Sequence, residues 1–197
     1  LYETIEARTL VDIYRCYELW SLLAQTAGKA GAVLEVGVYR GGTGALLAHR
    51  AAMLGIGEPV YLCDTYRGIA LAGERDSHYR GGELAETSAA GVRDFVRGEL
   101  GLHNAVIVEG IFPDEGAAHV DAEQIRFCHI DVDVYESAKA TCEWVWPRLP
   151  AGGIVVFDDY GFPTCDGVTT YVDSIRGMAD RLVVHNLNGH AVVIKLA

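Results

Sequence analysis

The chain has 197 residues, half of them apolar, and a formal net charge of −11. That length suits one domain, 1–197, with a sizeable core, and every apolar run is broken well before the roughly 18 residues a membrane span needs. The acidic balance excludes a nucleic-acid partner, because phosphates call for a basic footprint.

An N-terminal helical segment fills residues 1–30, where Leu10, Ile13, Tyr14, Tyr17, Trp20 and Leu23 recur at helical spacing until Gly28 and Gly31 stop it. From Leu1 onward no basic stretch precedes an apolar core, so no secretion signal is expected and a start at leucine reads as a trimmed chain. Ala32 to Val36 is short and apolar enough for a buried strand, followed by a glycine-rich turn from Gly37 to Gly44 and a helix through Leu54. Val60 to Asp64 is a second strand. Residues 65–87 are polar and glycine-rich, too long for an ordinary connection, and read as a lid or acceptor loop. A helix over Ala89–Leu100, a strand over Ala105–Val108, a strand over Ile125–Ile130 and a helix from Tyr135 to Leu149 come next. Ile154 to Phe157 is a strand, and Val168 to Met178 a helix. Arg181–Leu187 and Ala191–Leu196 flank Asn188-Gly189-His190, a hairpin signal that makes the last two strands antiparallel. Strands alternating with helices imply right-handed crossovers and a parallel sheet. The expected architecture is therefore α/β, a Rossmann-like, mostly parallel sheet of seven strands with a terminal antiparallel hairpin.

Open parallel sheets bind ligands beyond the C-terminal ends of their strands, and five of these ends carry acids: Glu35, Asp64, Glu109, Asp131 with Asp133, and Asp158 with Asp159. The first turn reads E-x-G-x-x-x-G rather than the G-x-G-x-x-G of a dinucleotide site. A carboxylate ahead of the first glycine suits a phosphate-free, cationic ligand, which S-adenosylmethionine is. Asp64 is placed to accept hydrogen bonds from ribose hydroxyls. Asp131 and Asp133 share a face of an extended segment, and Asp158-Asp159 lies past the neighbouring strand, so carboxylates converge that would repel each other without a hard divalent cation. His129, one step deeper than Asp131, reads as a hydrogen-bonded core histidine rather than a ligand. His78 is the histidine of interest in the long loop, and Trp20, Trp144 and Trp146 read as packing. The five cysteines are scattered without a CxxC pair and read as reduced thiols of a cytoplasmic protein, not as a thiolate metal site.

Several stretches together resemble the macrocin O-methyltransferase (TylF-type) family: Leu34 to Gly42, Asp64 to Gly68, Glu109 to Asp114, His129 to Ser137 and Pro147 to Gly161, in family order. The resemblance implies the class I S-adenosylmethionine methyltransferase fold and transfer of a methyl group to a sugar hydroxyl of a glycosylated natural product. It implies Mg²⁺ or Mn²⁺ on Asp131, Asp158 and Asp159, with Asp133 as general base beside Asp131. Expected cofactor contacts are Glu35, Gly37, Tyr39, Gly41, Asp64, Gly110, Ile111 and Asp131. The chain departs from the family's usual pattern at Arg67 to Leu71 and at Glu115 to Ala117. The oligomeric state is left open, a homo-oligomer included. The alternatives are a catechol-type O-methyltransferase, disfavoured because Val134 stands where that class has a lysine, and a nicotinamide-dependent oxidoreductase, disfavoured by the first turn and the hairpin.

Overall fold

The computed structural model describes residues 1–197. Seven strands, β1 (Ala32–Val36), β2 (Val60–Asp64), β3 (Ala105–Glu109), β4 (Ile125–Ile130), β5 (Ile154–Phe157), β6 (Arg181–His185) and β7 (Ala191–Lys195), form one sheet in the order β3-β2-β1-β4-β5-β7-β6. The first five pair in parallel and β7 runs antiparallel to both β5 and β6. The helices are α1 (Tyr2–Ile5), α2 (Ile13–Gln25), α3 (Gly42–Met53), α4 (Ala89–Arg93), α5 (Tyr135–Val145) and α6 (Asp166–Ile175), with a π-helical turn, Asp94–Glu99, continuing α4. No helix is long and apolar enough to cross a membrane.

The central strands are buried on both faces, so they read as continuous apolar runs rather than as alternation. Leu34 and Val36 of β1 belong to one core with α5 and α6, while Val33 belongs to the other with α2, α3 and α4. The order reverses between β1 and β4. Their carboxyl ends therefore open a crevice, the usual ligand position in such sheets.

Three sequence expectations need correction. The apolar stripe of α2 is only in part its buried face: Leu23 is buried, but Tyr14 and Tyr17 are 77% and 71% exposed, and Arg15, Cys16 and Leu19 are buried beside it. Tyrosine keeps one end wet, and Arg15 reaches ion-pair partners far along the chain that helical spacing does not reveal. The hairpin loop spans 186–190 rather than the three residues 188–190, because β6 ends at His185 and Asn186 and Asn188 turn their amides onto Glu18 of α2. The last helix ends at Ile175, three residues before Met178.

Candidate active site

The first turn is held by Asp64. Its Oδ2 accepts from the backbone N–H of Val38 (2.7 Å) and Tyr39 (2.9 Å), and its Oδ1 from Tyr66 (2.7 Å). A carboxylate offers about four lone-pair positions, so three amides leave capacity for a hydroxyl. Gly37, at φ 88°, is required by close approach: a Cβ there would lie 1.7 Å from the Asp131 carbonyl oxygen. This contact locks the end of β1 against the end of β4.

A cavity of about 330 Å³ lies over these strand ends, within the size range of small-molecule sites. Gly37, Tyr39, Asp64, Gly110, Ile111, Asp131, Asp133, Asp158 and Asp159 line it, as the sequence led one to expect. Two expected residues do not. Glu35 is fully buried and turns its carboxylate to His129, Oε1 lying 2.9 Å from Nδ1. Gly41 caps α3 in a left-handed conformation and packs against Val92 and Val96. Both shape the turn from behind.

Asp131, Asp158 and Asp159 bring carboxylate oxygens within 4.8 Å of one another. Burial, then repulsion from Asp158 and Asp159, pushes Asp131 well above the usual carboxylate range. Burial and the charges of Asp158 and Asp133 raise Asp159 to about 7. Asp158 goes the other way: burial opposes its charge, but His190, His129 and Arg15 pull it down to about 2. Burial also raises Asp133, against favourable hydrogen bonds from Cys165 and Tyr79. Asp133 and Asp159 both hold left-handed backbone, at φ 64° and 59°, a conformation that costs non-glycine residues about 1–3 kcal/mol and gathers at functional sites.

The donor set fits a hard divalent cation. It is all oxygen, it faces the cavity, and two of its three carboxylates are driven toward neutrality by burial and by neighbouring carboxylates, a penalty that an added cation lessens. The glycine turn, the carboxylate at the end of β2 and the apolar Ile111 and Phe112 of the same wall fit a nucleoside, which presents hydroxyls on one side and a flat apolar ring on the other.

Sequence spacing missed the residues that come from elsewhere. Arg15 of α2 donates from Nη1 to Asp158 Oδ1 (2.5 Å) and Asp159 Oδ1 (3.2 Å), with Nε on Asp12 Oδ2 at 2.8 Å. Tyr79 from the 65–88 loop and Cys165 before α6 border Asp133, and Thr9, Leu10, Val11 and Phe162 close the outer rim. No local signal marks them, since their partners lie up to 144 residues away. Lys139 pairs with Glu143 on the exposed face of α5, and Val134 is fully buried, so no cation stands where a catechol-type enzyme places its lysine. The antiparallel β7 likewise departs from the dinucleotide-binding strand order.

The family model of macrocin O-methyltransferase (TylF) matches residues 6–190. The demethyldecarbamoylnovobiocin O-methyltransferase of Streptomyces niveus is 27% identical over 200 aligned residues, covering 93% of this chain and 74% of that protein. The mycinamicin III 3''-O-methyltransferase of Micromonospora griseorubida is 28% identical over 201, covering 92% and 76%. Among solved structures, the O-methyltransferase NovP superposes with a TM-score of 0.82 at 23% identity, over 96% of this chain and 83% of that one.

Proposed function

The chain belongs to the macrocin O-methyltransferase (TylF) family and is an O-methyltransferase, and from that premise we propose that it methylates a hydroxyl on the sugar of a glycosylated small molecule, using S-adenosylmethionine and Mg²⁺ or Mn²⁺. The observation that carries this reading is the convergence of Asp131, Asp158 and Asp159 with Asp133 at one end of the cavity, and of Gly37 and Asp64 at the switch point. The sugar is suggested by the relatives, whose activities are O-methylations of novobiocin and mycinamicin compounds.

When bound, the cofactor would supply a methyl electrophile on a sulfonium, with the neutral thioether as leaving group, and a divalent cation would supply charge that lowers the pKa of an acceptor hydroxyl. Asp131, Asp158 and Asp159 would hold that cation. Gly37, Tyr39, Asp64, Gly110 and Ile111 would hold the nucleoside end of that cofactor and so orient its methyl group toward the acceptor side of the cavity. Asp133 takes the hydroxyl proton on its carboxylate as the new O–C bond forms. Arg15 keeps Asp158 oriented and ionised. The rim formed by Leu10, Ile69, Tyr79 and Phe162 covers the acceptor and excludes water.

Calorimetric titration with S-adenosylhomocysteine and then Mg²⁺, on wild type and Asp159→Ala, tests the reading. Micromolar nucleoside binding in both proteins and Mg²⁺ binding in wild type alone are expected. A folded wild-type protein that takes up no nucleoside would sink it, and nucleoside binding without Mg²⁺ would remove the cation.

A further inference from the structure

Asp158 has a second neighbourhood on the side away from the cavity. His129 of β4 and His190, just before β7, converge there, and both are fully buried. Each ring is held from behind by a carboxylate: His129 Nδ1 lies 2.9 Å from Glu35 Oε1, and His190 Nδ1 lies 2.7 Å from Glu18 Oε2. A carboxylate only accepts, so Nδ1 donates in both rings and Nε2 is the nitrogen left to face Asp158. Neither Nε2 has a hydrogen-bond partner. The two nitrogens and an Asp158 oxygen lie within 4.8 Å of one another.

Two buried ring nitrogens without a partner, facing a carboxylate whose Oδ1 is already held by Arg15, call for an occupant between them. His190 Nε2 is 3.2 Å from Asp158 Oδ1, yet that oxygen lies outside hydrogen-bond geometry. Two ligands of one tetrahedral ion, with bonds of about 2.0–2.1 Å, sit roughly 3.3 Å apart and side by side. Histidines whose other ring nitrogen donates to a carboxylate are the usual outer support of such an ion. The surrounding charge agrees: Glu18, Glu35, Asp131, Asp158 and Asp159 are opposed by Arg15 as the one fixed cation in contact with the cluster.

We propose that His129, His190 and Asp158 form a second divalent-metal site, nitrogen-rich and suited to Zn²⁺ or a similar transition metal, with Asp158 shared between this site and the oxygen-only cluster. Imidazole donors select against Mg²⁺, so the two positions differ in the ion they take. The site ties β4, the end of β5 and the start of β7 together, and through Glu18 it fixes α2. It clamps the metal-binding end of the sheet from behind and takes no part in methyl transfer.

Co²⁺ reads out the donor set without any activity measurement. Metal-stripped protein is titrated with Co²⁺ in excess Mg²⁺. One equivalent should bind, with the strong visible absorption of a low-symmetry, nitrogen-rich site, and Zn²⁺ should displace it. The bands should vanish in His190→Asn and His129→Asn and persist in Asp131→Asn, which disables the oxygen cluster alone. Failure of the methyltransferase's own cation site is thereby kept apart from failure of this one. Should the histidine variants not fold, X-ray absorption at the cobalt edge of the wild type decides, with two imidazole nitrogens expected in the first shell. An oxygen-only shell, weak octahedral bands, or bands that survive both histidine changes would overturn the proposal in favour of a protonated His190 between Glu18 and Asp158.

Discussion

Asp133 combines three properties that rarely coincide in a structural residue. Its backbone is left-handed, its carboxylate faces the cavity, and burial holds its pKa above the ordinary range. A carboxylate raised in this way accepts a proton more readily at neutral pH while remaining available as a base. Replacing Asp133 with Asn keeps the shape and removes the basicity. Turnover should fall about 10²–10⁴-fold, with affinity for S-adenosylhomocysteine and Mg²⁺ unchanged by calorimetry; a variant with wild-type turnover would remove Asp133 as the base. At this scale the acidic residues were legible, because strand ends are short, fixed in direction and easily located. Arg15, Glu18, Tyr79 and His190 were not. Each acts on partners that only the fold brings near, and Arg15 lies between apolar positions of α2, of which Tyr14 and Tyr17 are exposed while Arg15 itself is buried.

The elements themselves were readable where short apolar runs alternate with glycine turns, which covers the sheet and its helices. The 65–88 loop was readable only as a length of chain without periodicity. Its conformation is set by long-range bonds. Asp76 is buried and accepts from the N–H of Tyr135 (2.9 Å) and of Gly73 (2.8 Å), so it supplies the cap that Val134 cannot give to α5. Ser77 N–H donates to Asp166 at the start of α6, and Ser137 Oγ donates to the Ala70 carbonyl. These bonds tie the loop to the first turns of two helices. Asp76→Ala leaves a helix start and a loop turn without their acceptor, and should lower stability in urea by about 1–3 kcal/mol. Because Tyr79 and Ile69 ride on the same loop, KM for the acceptor should rise more than kcat falls. A variant of wild-type stability would show that water replaces the Asp76 oxygens without loss.

Across the whole molecule, an acidic chain concentrates several carboxylates at one end of its sheet, and the cost depends on pH. Asp159 is raised from its ordinary 3.8 to about 7, and Asp131 is raised in the same sense. Between about pH 4 and 7 the folded state therefore binds more protons than the unfolded chain, and stability falls as pH rises through that window. Asp158, depressed to about 2, contributes in the opposite sense, with stability present above pH 3.8 and lost as pH falls toward 2. Chelator-treated protein should be most stable near pH 4–5 and lose melting temperature on going to pH 8. Each kcal/mol lost corresponds to about 2–4 °C at this chain length. Adding Mg²⁺ at pH 8 should restore the loss, because ligand bound only by the folded state stabilises it by mass action. The same addition at pH 5 should do little, since Asp131 and Asp159 then carry protons that the cation must displace. A melting temperature that climbs from pH 5 to pH 8 in chelator would mean that Arg15 and the histidines already neutralise the cluster.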